Sequence, residues 1–174
     1  MGQVKIPKKV RLFCALCYTD PIIRDRAIEI LENDRGTIIE TSQPFDFDYT
    51  NYYSAEMGEN LKKEFLVFGQ LIDPVFITGI KLRTNAIEEE LSLNGKRRVN
   101  IDPGYLEAAK IVLATTKNFS HRIYIGNGIY GDVQLYYRDG HYNTNEWTYP
   151  DYKTVDTITF FDRIRKEYLN IISK

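Results

Sequence analysis

The chain has 174 residues, of which 43% are hydrophobic and 27% charged, as is typical of a single soluble globular domain. Its formal net charge of -1 argues against general nucleic-acid binding, which requires a broadly basic face. No apolar run reaches the length of a membrane span, and the charged N-terminus lacks the apolar stretch of a signal peptide, so we expect a cytoplasmic protein.

The first forty residues predict a strand, a helix and a second strand. The continuous run of β-forming apolar residues at Val10–Tyr18 predicts a central strand. Asp20-Pro21 is a typical helix start, and Gly36 stands where a glycine would end that helix. Residues 37–41 predict the next strand, which would complete a βαβ-like unit.

Two cysteines, Cys14 and Cys17, lie in the first predicted strand at a C-x-x-C spacing that also occurs in redox and zinc sites. Residues three apart on a strand point to opposite faces, so we expect the two thiols to stay apart. The chain has no second cysteine pair, and the favoured interpretation is therefore two buried core cysteines.

The middle of the chain predicts a short strand and two helices. Aromatic residues alternate with aspartates over residues 45–49, which is typical of a strand with one apolar and one acidic face. Apolar residues recur at helical spacing over residues 60–71, which predicts a helix. Asp73-Pro74 is a second helix start, and the helical spacing that follows it continues to about residue 92.

The segment from residue 97 to 151 alternates strand patterns with polar and aromatic residues at turn-like positions, as a rigid scaffold that presents a site often does. The basic run at 96–98 follows a turn signal and is interpreted as a solvated turn. The elements predicted next are an extended segment at 98–101, a turn at Asp102-Pro103-Gly104, one helical turn at 106–109, and strands at 111–116, 121–125 and 129–137.

The C-terminal residues 154–173 carry an amphipathic pattern that predicts a helix packed on the sheet. Together the elements predict an α+β fold, namely a single globular domain over residues 1–174 with a mixed or antiparallel sheet and three to four packing helices.

The glycines at residues 126–131 match G-x-G-x-x-G. A dinucleotide-binding loop requires a helix after these glycines, and here a strand pattern follows. A glycine-rich loop of the kinase type is a hairpin, but the chain contains no H-R-D or D-F-G element. A hairpin turn that happens to contain three glycines is the favoured interpretation.

The hydrophobic pattern of this hairpin favours a three-residue loop over a two-residue turn at Asn127-Gly128. The three-residue loop pairs Tyr124 with Tyr130 on a polar face. The same register pairs Arg122 with Asp132 there and turns His121 to the opposite face.

We place the candidate site on this polar face, bordered by the Asp102 turn and by the loop at 146–152. Arg122 and Lys117 would hold an anion, since arginine binds phosphate in a bidentate manner, and Asp132 would orient Arg122 or bind a metal. The candidate ligand-binding residues are Asp102, Lys117, His121, Arg122, Asp132, Trp147, Tyr149 and Asp151. The alternative interpretation of Arg122 and Asp132 is a solvent-exposed ion pair, whose loss would change stability little.

Several segments together resemble an uncharacterised bacterial family, domain of unknown function four-four-one-six, over nearly the whole chain. The segments are YYSAEMG at 52–58, IKLRTNAIE at 80–88, NIDPGYL at 100–106, ATTKNFSHRIY at 114–124, GIYGDVQLYY at 128–137 and WTYPDY at 147–152. The family pattern in the hairpin is Gly-Ile-Tyr followed by a small residue and an acid, and here Asp132 stands for the usual Glu. The family has no established activity, although some members are labelled GTP-binding.

Two functional classes remain open. The first is a protein that binds or acts on a small phosphate-bearing ligand, a nucleotide among the candidates, without the G-x-x-x-x-G-K-[ST] loop that the chain lacks. The second is a protein-interaction module with no small-molecule site. Convergence of the candidate residues on one concave pocket would favour the first. The pattern specifies no reaction, cofactor, metal-ligand spacing or oligomeric state.

Overall fold

The structure, a computed structural model, describes residues 2–50 and 54–173. Its strands in these residues are β1 (Val10–Tyr18), β2 (Ile38–Thr41), β3 (Phe45–Asp46), β4 (Lys62–Ile72), β5 (Val99–Leu106), β6 (Lys110–Thr115), β7 (Ile123–Gly126), β8 (Ile129–Arg138) and β9 (His141–Thr144). Its helices are α1 (Pro21–Arg35), the single turn α2 (Ser54–Met57), α3 (Ile77–Glu90) and α4 (Val155–Ile172), with 3-10 turns at Pro74–Phe76 and Pro150–Lys153.

The strands form one open antiparallel sheet in the order β2-β4-β1-β5-β6-β8-β7, with β3 beside β4 and β9 beside β8. Because β4 runs antiparallel to both β1 and β2, those two strands are parallel and are joined by α1. The predicted βαβ unit is therefore present in a split form, with another strand between its two strands. The predicted α+β class, with an antiparallel sheet and three to four helices, is confirmed.

Helices cover both faces of the sheet around β1. On one face α1 and α3 pack against Leu12, Cys14 and Leu16, and on the other α4 packs against Phe13 and Ala15. Since side chains alternate along a strand, β1 is buried on both faces, as its continuous apolar run predicts. Of the helices in the described residues, none is long and apolar enough to cross a membrane.

The two cysteines are free and buried, as predicted. Cys14 belongs to the core under α1 and α3, whereas Cys17 packs with Met57 and Leu61 on the opposite face. Burial raises the pKa of both thiols to about 12, so both stay protonated at neutral pH.

The helix predicted at residues 60–71 is wrong, because this segment is the strand β4. Phe65, Leu66, Val67 and Phe68 are consecutive and all fully buried, since β4 lies inside the sheet with helices over both faces. A strand buried on both faces is apolar at successive positions and does not show a period of two. The apolar residues of this segment also happen to recur every three or four positions, which is the spacing of a helix.

The turn predicted at Asp102-Pro103-Gly104 and the helical turn at 106–109 are also wrong. Asp102, Pro103 and Gly104 all lie inside β5. The hairpin turn to β6 comes after the end of β5 and is closed by a hydrogen bond from Glu107 N to Lys110 O (3.0 Å). Pro103 is compatible with a strand here because β6 pairs only with Gly104–Leu106, so its nitrogen faces an unpaired edge.

The hairpin of β7 and β8 confirms one part of the predicted register and corrects another. Tyr124 pairs with Tyr130, as predicted. The connection is nevertheless a two-residue turn, in which Asn127 (φ 54°) and Gly128 (φ 75°) both have the positive φ of a type I′ turn. A register shift at Ile125 reconciles this turn with the pairing of the tyrosines.

Candidate functional site

A cavity of about 540 Å³ lies where β5 and β6 separate. The two strands pair only over Gly104–Leu106, so the first half of β5 leaves one edge without a strand partner. At this edge the N–H of Ile101 donates to Glu88 Oε1 (2.6 Å), and its carbonyl accepts from Lys81 Nζ (3.2 Å). Side chains of α3 thus bind backbone groups that a neighbouring strand would otherwise bind.

Charged side chains from several elements line this cavity. The cations are Lys63 on β4, Lys81 on α3, Arg97 before β5 and Lys117 after β6, and the carboxylates are Glu88, Asp102 and Asp151. The lining residues thus include four cationic side chains and three carboxylates. Aromatic rings of Phe47, Tyr49 and Tyr149 form another part of the wall.

Lys81 and Asp102 form one of the ion pairs in the cavity. Lys81 Nζ lies 3.0 Å from Asp102 Oδ1, and Asn100 Nδ2 donates to Asp102 Oδ2 (2.8 Å). Burial by itself would raise the pKa of Asp102, but the positive charges of Lys81 and Lys63 outweigh it and lower that pKa. Burial likewise opposes the charged form of Lys81, and the carboxylates of Asp102 and Glu88 overcome it and raise its pKa. Both groups are therefore charged at neutral pH.

The pKa of Asp102 predicts a pH-dependent contribution to stability. Because its folded pKa lies below the ordinary value of 3.8, the stabilisation is present above pH 3.8 and is lost as the pH falls through the folded pKa. The difference in free energy of unfolding between the wild type and Asp102→Asn, measured with urea, should therefore be larger at pH 6 than at pH 3. A difference that stays constant between the two pH values would contradict this assignment.

Lys63 and Asp151 form another ion pair, and both side chains are almost fully buried. Lys63 Nζ lies 2.7 Å from Asp151 Oδ2 and 4.7 Å from the centre of the Phe47 ring. The pair joins β4 to the 3-10 turn before α4, 88 residues away in sequence. It therefore fixes the loop that carries Tyr149 over this end of the sheet.

Arg97 uses its whole guanidinium on neighbouring side chains. It donates to Glu56 through Nε (2.8 Å) and Nη2 (2.6 Å), and through Nη1 to Glu88 (3.1 Å) and Asn100 (3.2 Å). These contacts raise its pKa, chiefly through the hydrogen bonds to Glu56. The interpretation of residues 96–98 as a solvated turn is wrong for Arg97, which forms a structured part of the cavity wall.

Arg122 and Asp132 lie behind the wall that Lys117 and Tyr149 present to the cavity. Arg122 donates to Asp132 Oδ2 (2.8 Å), to the carbonyl of Lys117 (2.9 Å) and to the hydroxyl of Tyr149 (2.8 Å). Asp132 is fully buried and the Arg122 side chain is 9% exposed, so the alternative interpretation of a solvent-exposed ion pair is wrong. The loop after β9 covers this face, because Trp147 Nε1 donates to a carbonyl of β8 (3.0 Å).

His121 lies on the side of Asp132 and not on the opposite face, which corrects the predicted orientation. β7 begins only at Ile123, so His121 precedes the strand and does not follow its alternation. Its Nε2 atom lies 3.5 Å from Asp132 Oδ2, and its ring stacks on Trp147 with centroids 5.0 Å apart.

The structure thus brings half of the predicted site residues to one cavity. Asp102, Lys117, Tyr149 and Asp151 line it, Arg122 and Asp132 support its wall, and His121 and Trp147 do not line it. Sequence reasoning missed Lys63, Lys81, Glu88, Arg97 and Asn100 as lining residues. One signal was present, because Lys81, Asn85 and Glu88 follow each other at intervals of four and three and share one face of α3.

Within residues 2–50 and 54–173, no group of three or more His, Cys, Asp or Glu side chains is placed to hold a metal ion. A family model with the description "Domain of unknown function (DUF4416)" matches residues 8–168. No curated protein and no solved structure matches the chain. Among the segments that carry the family resemblance, Tyr52 and Tyr53 lie outside the described residues.

Proposed function

Because the chain belongs to the family Domain of unknown function (DUF4416), whose description names no activity, we propose a function from the site itself. The proposal is that the cavity between β5 and β6 binds a small phosphate-bearing ligand, with nucleotides as the leading class. The observation that carries it is the convergence of four cationic side chains, from four separate elements, on a cavity of about 540 Å³. Ligand pockets typically measure roughly 300–1,000 Å³.

The lining residues offer a phosphate and a flat ring different partners. Lys117 is exposed just after the end of β6 and lines the cavity, so its ammonium group is accessible to an anion that enters from solvent. The phenyl and phenol rings of Phe47, Tyr49 and Tyr149 suit stacking on a base. The side-chain amide of Asn85 adds a donor and an acceptor to the same cavity. In this arrangement side chains would hold the phosphate in place of a glycine-rich backbone loop.

A thermal-shift panel tests the proposal. It contains purine and pyrimidine nucleotides, sugar phosphates, inorganic phosphate and pyrophosphate, each with and without Mg²⁺. A ligand that binds the native state at a hundred times its Kd stabilises it by about 2.7 kcal/mol, which corresponds to several degrees in Tm. We expect such a rise for at least one phosphate-bearing compound and none for its dephosphorylated counterpart.

A pair of lysine variants provides the control. Lys117→Ala should remove most of the Tm rise. Lys62→Ala should keep it, because Lys62 pairs with Asp46 (2.8 Å) and does not line the cavity. No Tm rise with any compound of the panel would contradict the proposed function.

One observation favours the protein-interaction module as a second candidate function. β7 is the last strand of the sheet order, and its apolar side chains Ile123 and Tyr124 are 69% and 60% exposed, with Phe119 nearby in sequence at 64%. Exposed apolar groups on an edge strand are typical of a surface that pairs with another chain. A partner whose binding is lost in Ile123→Lys and kept in Lys117→Ala would support this candidate.

A further inference from the structure

Tyr149 is held at one end by Gln134 of β8 and at the other by Arg122, which precedes β7. Its backbone N–H donates to Gln134 Oε1 (2.8 Å), and its hydroxyl accepts from Arg122 Nη2 (2.8 Å), which Asp132 in turn fixes (2.8 Å). Asp132 and Gln134 are both fully buried and lie two residues apart, so they share one face of the strand. The buried side chains of Asp132 and Gln134 thus both help to fix the position of Tyr149.

The direction of these hydrogen bonds decides what the Tyr149 hydroxyl can still do. A guanidinium only donates, so the phenol oxygen is the acceptor from Arg122 and its own hydrogen remains for another partner. No acceptor among residues 2–50 and 54–173 binds that hydrogen, and Tyr149 is one of the residues that line the cavity. Burial raises the pKa of Tyr149 to about 12 against the opposing charge of Arg122, so the phenol keeps its proton at neutral pH.

From this geometry, and resting on the proposed function, we infer that Tyr149 donates its phenolic hydrogen to an anionic oxygen of the cavity's ligand. Arg122, Asp132 and Gln134 are positioning residues that hold this donor in place. The bond from Arg122 polarises the phenol oxygen and makes its hydrogen a better donor, because neighbouring hydrogen bonds strengthen one another. The tyrosine therefore favours ligands that place a charged acceptor within reach of its hydroxyl.

Tyr149→Phe tests the donor, because it removes the hydroxyl and keeps the ring. The probes are ATP and inorganic pyrophosphate, titrated into the 174-residue chain by isothermal titration calorimetry. A hydrogen bond to a charged group is strong enough that its loss should weaken binding about tenfold or more. Tyr136→Phe is the matched control, since Tyr136 is 37% exposed on β8, away from the cavity, and its hydroxyl should not affect binding.

Arg122→Lys tests the positioning role through a double-mutant cycle. Arg122→Lys should weaken probe binding in the wild-type background and have little further effect in Tyr149→Phe, because the hydroxyl that it positions is then absent. A purely structural Arg122 would instead weaken binding equally in both backgrounds. Urea unfolding of each variant checks that the variant is folded under the conditions of the titration.

The outcomes separate this inference from the proposed function. If the wild type binds a probe and Tyr149→Phe binds it equally well, the donor role is overturned while the proposed function stands. If the wild type binds neither ATP nor pyrophosphate, the inference falls together with the proposal of a nucleotide ligand. Equal effects of Arg122→Lys in both backgrounds overturn the positioning role.

Discussion

Replacing Asp132 with alanine should lower the free energy of unfolding by about 3–5 kcal/mol, the usual loss when one partner of a buried ion pair is removed. The variant leaves the Arg122 guanidinium inside the protein, where its side chain is only 9% exposed, without the carboxylate that balances it. The other two acceptors of Arg122, a carbonyl and a phenol, carry no negative charge. Urea unfolding followed by circular dichroism at pH 7 measures the change.

The control for this prediction is an ion pair of the same length in a different environment. Asp46 lies 2.8 Å from Lys62, as Asp132 does from Arg122, but its side chain is 75% exposed. Asp46→Ala should therefore change the free energy of unfolding by no more than about 0–1 kcal/mol. Equal, small losses in both variants would mean that Arg122 reaches solvent, and that Asp132 is not a structural partner.

Gly104→Ala should lower the free energy of unfolding by an amount near the upper end of roughly 1–3 kcal/mol, the range for overpacked cores. A methyl group at this position would lie 2.6 Å from Phe13 Cζ, 2.7 Å from the carbonyl oxygen of Val112 and 2.9 Å from Leu113 Cδ2. A side chain can rotate away from the new atom, but the backbone carbonyl of β6 cannot move without disturbing the sheet.

The same substitution elsewhere in the chain should have the opposite sign. Gly79 lies within α3, and a methyl group there meets no atom within 4 Å. Gly79→Ala should stabilise the protein by about 0.5–1 kcal/mol, because alanine loses less conformational freedom in a helix than glycine does. Urea unfolding of both variants checks the contrast. If Gly104→Ala is as stable as the wild type, the close contact between β5 and β6 is wrong.

Elements with strong local signals were predictable from the sequence. Asp20 caps α1 through a hydrogen bond to Ile22 N (2.9 Å), and Gly36 ends that helix with a positive φ, as their residue types indicate. Pro103 and Gly104 also carry a strong local signal, for a turn, but pairing with β1 along the whole of β5 overrides it. Local propensity therefore succeeded where the sheet imposes no competing requirement.

The candidate site was predictable only in part, because its residues meet through the order of the strands. Lys63 contacts Asp151, which lies 88 residues away in sequence. Lys81 contacts Asp102 from α3, which packs against the unpaired edge of β5. A single sequence does not reveal such pairings, and the prediction of β4 as a helix removed Lys63 from consideration. Arg122 and Asp132 were found because a hairpin register follows from adjacent sequence alone.

The contacts of α3 with the edge of β5 explain why a ligand-sized space exists inside the sheet at all. Two antiparallel strands joined by a hairpin tend to continue their ladder of backbone hydrogen bonds, so β5 and β6 would ordinarily pair along their whole length. Glu88 and Lys81 prevent this pairing over the first half of β5, because they already bind the N–H and the carbonyl of Ile101. Helix α3 thus keeps β5 and β6 apart, and its charged side chains maintain the cavity between the two strands.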